Sequence, residues 1–379
     1  KMMRILLAIQ NNTNSAVKDS NTWYRNLYEP LIELGHEVIL FNTNDAILAR
    51  RTNSKRLKEK VSENLLALFN RENNKKHIDL FFGYLTDGMI DFNLISEIRK
   101  KEVITTNFSC NNIHQFYLVK EIAKYFDYNL YSEKDAKKHF DSISVRSLWW
   151  PMASNPKYFY PKRLKKKYSV TFVGSNYSLR AKYIYYLLEN NVNVEVFGPG
   201  WKYAANTKNR AFFKRYYLLT KSVLSNDINL QAKYSGLLFE HDFKRKLANS
   251  FPNNLNDIVS DEKLINLYSE SEISLGFLEV YNQHDPSNNI LKHMHLRDFE
   301  APMCRAFYIT GYSDELAEMF IPEKEVITYR DNYELLEKVR YYLKNQNQQE
   351  IIREAGYQRA LREHTYQKRF QDLFHMIFK

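Results

Sequence analysis

The sequence predicts an α/β protein made of two doubly wound, parallel-sheet units with helices at the carboxyl end. Three observations carry this. Short apolar runs alternate with helix-period segments from Arg4 to Trp150, and the same alternation restarts at Tyr168. Between them, residues 151–167 hold Pro151, Pro156 and Pro161 and end in a basic run, which breaks both periodicities and reads as a linker. The 379 residues suffice for two domains of ordinary size, and 44% hydrophobic with 26% charged residues is a globular composition. The expected boundaries are 1–160, 161–362, and a last helix over 363–379 that crosses back to the first unit.

In the first unit, residues 4–9 read as a buried parallel strand. Trp23, Leu27, Leu31 and Leu34 then mark one face of a helix that Pro30 should kink and Gly35 should stop. Residues 37–41 are a second strand, 46–69 one long polar helix, 78–82 a third strand and 94–99 a helix. Further strands are expected at 103–106, 128–131 and 147–150. In the second unit, strands are expected at 168–173, 192–197, 273–277, 306–310 and 325–329, with a short one near 237–239. Helices are expected at 179–188, 264–268, 348–362 and 366–378. Asp331 caps a further helix, with Glu334 at its third position and Leu335, Leu336, Val339 and Leu343 on its apolar face.

The formal charge is +11. Nucleic acid, an anionic membrane surface or a phosphorylated small molecule would each answer it. Basic residues cluster over 162–167 and, interleaved with aromatics, over 208–217. Such clusters are either solvated surface or a face for a membrane interface. Two cysteines, Cys110 and Cys304, exclude a disulfide framework and fit a reducing compartment. The apolar run at the start is too short for a signal peptide, and no stretch approaches a transmembrane span. The expected location is the cytoplasm, with peripheral membrane contact allowed.

Two windows carry candidate chemistry. In residues 290–304, Pro302 is expected in the first turn of a helix that begins near Arg297 or Asp298. Free N–H groups at that start would attract phosphate, with Lys292 and Arg297 neutralising a diphosphate. His295 lies in the same loop. Glu300, one turn in, would turn from the phosphate and accept from ribose hydroxyls. The plainer reading is a capped surface helix with ordinary charges. In the second window, Val173, Gly174 and Ser175 close a strand ahead of Arg180, where backbone can approach a phosphate or sugar; a plain strand-to-helix turn is the alternative. In the first unit, His114 lies in a polar loop at a strand's carboxyl end, where it could contact a transferred sugar or handle a proton, or bond within its loop.

Several patterns are missing. There is no dinucleotide fingerprint, P-loop, Asp-x-Asp pair, H-E-x-x-H, Cys-x-x-Cys or G-x-S-x-G elbow. His284, His293 and His295 lack the carboxylate or Cys spacing of a metal site, so no metal is expected.

The run from Arg297 to Thr310 resembles the spore-maturation-type glycosyltransferases, related to glycosyltransferase family 4. The likeness continues through Asp314-Glu315-Leu316, residues 324–329, Ala355-Gly356-Tyr357 and residues 364–370. The Val173-Gly174-Ser175 turn and the Phe197-Gly198-Pro199-Gly200-Trp201 segment share it, and Leu34-Gly35-His36-Glu37-Val38 does so more faintly. The resemblance implies the GT-B fold, two Rossmann-like domains facing a cleft. It also implies a nucleotide-diphosphate-sugar donor, no obligatory metal, and retention of configuration. Glu300 corresponds to the second Glu of that family's Glu-x7-Glu signature, which grips the donor ribose; Lys292 stands at the first. Arg305 replaces the small Gly usual after the Cys. The implied activity is sugar transfer to a hydroxyl of a glycan or lipid-linked acceptor in cell-surface glycan synthesis, with His114, Lys292 and Arg297 in catalytic roles. Gly174, Ser175, Lys292, His295, Arg297 and Glu300 would bind the donor. A nucleotide-sugar epimerase on the same fold is one rival. A noncatalytic module for an anionic ligand or membrane surface is another; nucleic acid is not an expected partner.

Overall fold

Arg4–Ile9 forms β1, every residue of it buried, as a central parallel strand requires. The buried Arg4 is tolerated because its guanidinium is fully engaged. It pairs with Glu37 and Glu72 and donates to the carbonyls of Glu72 and Lys76. The computed structural model describes residues 2–11, 21–202, 210–224, 240–281 and 290–378. It contains two units, residues 1–155 with 364–379, and residues 156–363.

The first unit adds β2 (Glu37–Asn42), β3 (Leu80–Gly83), β4 (Ile104–Ser109), β5 (Tyr128–Tyr131) and β6 (Ser147–Trp149). All pair in parallel in the order β2-β1-β3-β4-β5-β6. The helix expected after β1 is split: a π-helical turn, Tyr24–Tyr28, runs into Glu29–Glu33. Pro30 has no N–H to return to Asn26, so the backbone widens ahead of it. Gly35, at φ +79°, ends the helix. The expected long helix over 46–69 is two helices, Asn44–Thr52 and Lys55–Lys75. Asn53 takes the left-handed conformation between them, and the Ser54 hydroxyl caps the second.

The last helix, Tyr366–Ile377, belongs to this unit. Thr365 caps it and pairs with Ser154. Phe370 packs against Phe82 and Trp150, at ring separations of 5.6 and 5.3 Å. The Trp150 indole donates to the Arg369 carbonyl, and Arg369 Nε donates to the Pro151 carbonyl, both at 3.0 Å.

The second unit has β7 (Tyr168–Val173), β8 (Val194–Phe197), β9 (Leu255–Asn256), β10 (Ser271–Leu275), an antiparallel hairpin of β11 (Glu279–Tyr281) and β12 (Ile290–Lys292), β13 (Tyr308–Gly311) and β14 (Ile327–Tyr329). Its main sheet is parallel in the order β14-β13-β10-β7-β8-β9. Asp331 caps Asn332–Lys344 through the Glu334 amide, and Glu334 reaches back to the Arg330 amide.

Residues 151–167 do not form an open linker. Met152 to Asn155 are buried in the first unit. The basic run closes the end of the Asp261–Glu270 helix: Lys166 donates to the carbonyls of Ser269 and Ser271 at 2.8 and 2.7 Å, and Lys167 pairs with Glu270. These lysines satisfy orphan carbonyls at the negative end of a helix. Of the second basic cluster, Tyr216 and Tyr217 are exposed on the Arg210–Leu224 helix. Much of that cluster, the strand expected near 237–239, and His284 lie outside the described residues. No described helix is long and apolar enough to cross a membrane.

Candidate active site

In the second sheet, β7 connects outward to β8 on one side, and the chain returns to β10 on the other. The strand order reverses there, and open α/β sheets take their ligands beside the carboxyl ends at such a reversal. Gly174 follows β7. Its amide donates to the Phe197 carbonyl, and its carbonyl accepts from the Trp201 indole at 2.6 Å. A Cβ at Gly198, whose φ is +137°, would collide with the Gly174 carbonyl. Two glycines thus let the ends of β7 and β8 touch.

Arg297 lies against this turn. Its Nε donates to the Val173 carbonyl at 2.6 Å, and its guanidinium sits 4.7 Å from the Phe172 ring centre. Arg180, only 2% exposed, donates to the Ser175 carbonyl and to the Tyr177 hydroxyl, and its guanidinium also stands over Phe172, at 5.4 Å. Burial, with the charge of Arg297 acting in the same direction, pushes its pKa down to about 10, so both side chains are cations at neutral pH. Among the described residues, Arg180 Nε and Arg297 Nη1 are buried donors that bond to nothing. Buried donors are normally satisfied.

The short helix Arg297–Met303 departs from expectation in two ways. Pro302 is its sixth residue, not part of its first turn. The helix ends at the next residue, so the missing proline N–H costs only the bond to Asp298. Its first N–H groups are also occupied: those of Asp298, Phe299 and Glu300 donate to the carbonyls of His295 and Leu296. These three amides are therefore not free for an anion, and the unmet donors at this point are those of the guanidinium groups.

Asp298 organises the loop from within. Its buried carboxylate accepts from the His295 amide, the Tyr308 hydroxyl and the Thr310 hydroxyl, at 2.6, 2.7 and 3.2 Å. A Cβ at Gly276 would overlap the Tyr308 hydroxyl, so Gly276 makes room for that bond. His295 Nε2 lies 2.8 Å from the Tyr177 hydroxyl and 3.2 Å from Arg180. His295 is thus joined to the two-arginine cluster, as are Gly174 and Ser175. Glu300 is 8% exposed, and its carboxyl makes no hydrogen bond among the described residues. Burial raises its pKa to about 8, with Arg297 opposing and Asp261 and Asp298 reinforcing the shift.

Lys292 sits on β12, cross-strand from Glu279, and donates to the Tyr312 carbonyl at 2.7 Å. Glu279 is buried; its Oε2 accepts from Tyr329, and among the described residues its Oε1 has no partner. The rings of His293 and His295 are 4.2 Å apart, and no group of three metal-ligating side chains occurs among the described residues. His114 belongs to the first unit, on the four-residue helix Asn112–Gln115.

Sequence reasoning placed Gly174, Ser175, His295, Arg297 and Glu300 in this region. It missed Asp298, Tyr177 and Glu279. An acid at the start of a helix looks like an ordinary cap, and only the fold brings Tyr308 and Thr310 to Asp298.

Residues 180–375 match the model of a family described as glycosyl transferase-like. No curated protein sequence matches the chain. Among solved structures it resembles an α-glucosyltransferase determined with UDP and a 13-mer DNA containing an HMU base. The identity is 13% with a TM-score of 0.63, over 100% of both chains. It also resembles sucrose-phosphate synthase of Thermosynechococcus elongatus, with 12% identity and a TM-score of 0.60 over 99% of both. A third is HepE of Anabaena with UDP and glucose, at 10% identity and a TM-score of 0.56 over 99% of both. Such identities speak for the fold, and that fold is GT-B, two parallel-sheet α/β units. The matched segment is just over half of the chain and holds both arginines, Asp298 and Glu300; the chain belongs to the glycosyl transferase-like family.

Proposed function

We propose that this enzyme moves a sugar from a nucleoside-diphosphate sugar to an acceptor hydroxyl, with the donor held at the β7/β10 reversal point. The observation that carries the reading is the unmet buried donors of Arg180 and Arg297, two cations on one aromatic ring. A diphosphate would supply both the acceptor atoms and the counter-charge. Glu300 would take the ribose diol, which matches its unpartnered carboxyl and the Glu-x7-Glu position. Lys292 keeps two ammonium protons beyond its bond to Tyr312, enough to reach a phosphate oxygen.

In the reaction, the acceptor oxygen bonds to the anomeric carbon as the bond to the β-phosphate oxygen breaks, and the acceptor hydroxyl proton passes to the departing diphosphate. The electron pair leaves with the diphosphate, where the guanidinium groups stabilise it. We place the enzyme in the spore-maturation type related to family 4, acting with retention and without an obligatory metal. His114 would contact the transferred sugar or carry a proton. Two of the solved structures it resembles were determined with UDP, one together with DNA and one together with glucose, which makes UDP the first nucleotide to try. The acceptor would be a glycan or lipid-linked glycan at the cytoplasmic face, and the exposed Tyr216, Tyr217 and Leu224 support peripheral membrane contact.

Calorimetry with the five common nucleoside diphosphates tests the donor site. Stoichiometric binding of one of them is expected, and binding of none overturns the reading. Sugar analysis without acceptor separates transfer from epimerisation. EDTA treatment should leave turnover intact.

A further inference from the structure

The first sheet has its own reversal point, between β1 and β3, and a pocket of about 260 Å³ opens at the strand ends there. Its wall includes Arg50, Arg51, Trp23, Thr43, Thr86 and Asn112. The charge of this wall is one-sided. Among the described residues no carboxylate lines it, and neither guanidinium has an acidic partner. Arg50 is held in place by a single bond from Nη1 to the Thr86 hydroxyl, at 2.9 Å. Glu133, which holds the Asn111 and Asn112 amides, is fully buried and does not line the pocket. The Thr43 hydroxyl is buried, 1% exposed, and has no partner among the described residues. Trp23 is braced edge-on against Tyr84 and Phe108, at 4.8 and 5.6 Å.

We propose that this pocket binds an anionic sugar, one that carries a carboxylate or a phosphate ester. Two unpaired guanidinium groups ask for an anion. A braced indole suits the apolar face of a sugar ring, and the Thr43 hydroxyl and the Asn112 side-chain NH2 suit its hydroxyls. The volume suits about one ring. That the bound sugar is the acceptor rests on the transferase reading; that the pocket selects an anion does not.

The test uses the full chain, first without and then with UDP, titrated with methyl β-glucuronoside, glucose 6-phosphate and methyl β-glucoside, followed by saturation-transfer NMR. At least one charged sugar should bind ten times more tightly than the neutral glucoside. Which of the two does so distinguishes a uronate from a phosphate ester. R50Q/R51Q should abolish the preference while UDP binding and Tm hold, and R50K/R51K should retain part of it. Equal affinity for the neutral sugar, no binding of either charged sugar, a preference that survives R50Q/R51Q, or displacement of the charged sugar by UDP would each overturn the proposal. UDP titration on the same sample reports the donor site separately, so failure of one reading is not mistaken for failure of the other.

Discussion

The guanidinium of Arg297 fills the volume that a Cβ on residue 174 would need. Gly174 is therefore the complement of an arginine 123 positions away in sequence, quite apart from any demand of its turn. Arg297 has a second tether, the 2.6 Å bond from Nε to the Val173 carbonyl. Gly174→Ala should evict the side chain and weaken UDP binding about as much as Arg297→Ala does, roughly tenfold or more. Because the two changes remove one interaction, G174A/R297A should be no worse than R297A alone. Calorimetry on the three variants checks this; additive losses would show that Gly174 serves the ligand by another route.

Arg297→Ala should also lower turnover at least tenfold while the protein still folds, since in the proposed reaction the lost charge stabilises the leaving diphosphate. UDP should raise Tm in the wild type through linkage and raise it markedly less in R297A. Wild-type turnover in R297A would remove the arginine from the mechanism.

Glu300 supplies a pH signature. Its folded-state pKa is raised from the ordinary value of 4.5 to about 8. Between those two values the folded protein holds a proton that the unfolded chain has released. Stability is therefore lost as pH rises through this window, by a total on the order of 5 kcal/mol. Glu300→Gln removes this contribution, so its Tm should be flatter across pH 5–8 and should exceed that of the wild type near pH 8. If ribose hydroxyls bond to the ionised carboxyl, UDP binding by the wild type should weaken as pH falls below about 8. E300Q should bind more weakly and without that slope.

The sequence makes the layout legible because buried parallel strands are continuous apolar runs. β1 and β7 are readable at sight, and the Gly174 turn and Glu300 follow from local pattern. What it hides is set by distance in space. Lys166 reads as one charge in a basic cluster, yet it closes a helix whose last carbonyls lie some hundred residues on. Pro302 reads as a helix start, because local preference cannot reveal that the helix stops one residue later. The occupied amides of Asp298, Phe299 and Glu300 depend on the turn at His295 and Leu296, which no periodicity encodes.

Asp298 should prove structural before it proves catalytic. It is 1% exposed and accepts three hydrogen bonds, and burial raises its pKa despite them. Asp298→Ala leaves two hydroxyls and an amide without an acceptor, which costs about 2–4 kcal/mol. Denaturant unfolding should show that loss, and nucleotide affinity should fall with it because His295 and Arg297 flank the residue. Asp298→Asn keeps one acceptor oxygen and should lie between.

Glu133 plays the matching part in the first unit. Its two oxygens accept from the amides of Asn111 and Asn112, at 2.5 and 3.0 Å, and Asn111 is held at φ +61°, a conformation few side-chain-bearing residues adopt. Burial raises the Glu133 pKa, so the clamp is kept against a desolvation cost. Glu133→Ala should unclamp both asparagines, which line the anionic-sugar pocket, and lower stability by about 2–4 kcal/mol. Glu133→Gln retains one acceptor but turns an amide donor toward the second N–H, so it should recover only part of the loss. Unfolding curves rank the variants. At temperatures where each remains folded, glucuronoside or glucose 6-phosphate affinity should fall in the same order while UDP affinity holds. A parallel fall in UDP affinity would mean that the clamp supports the whole fold and not this loop.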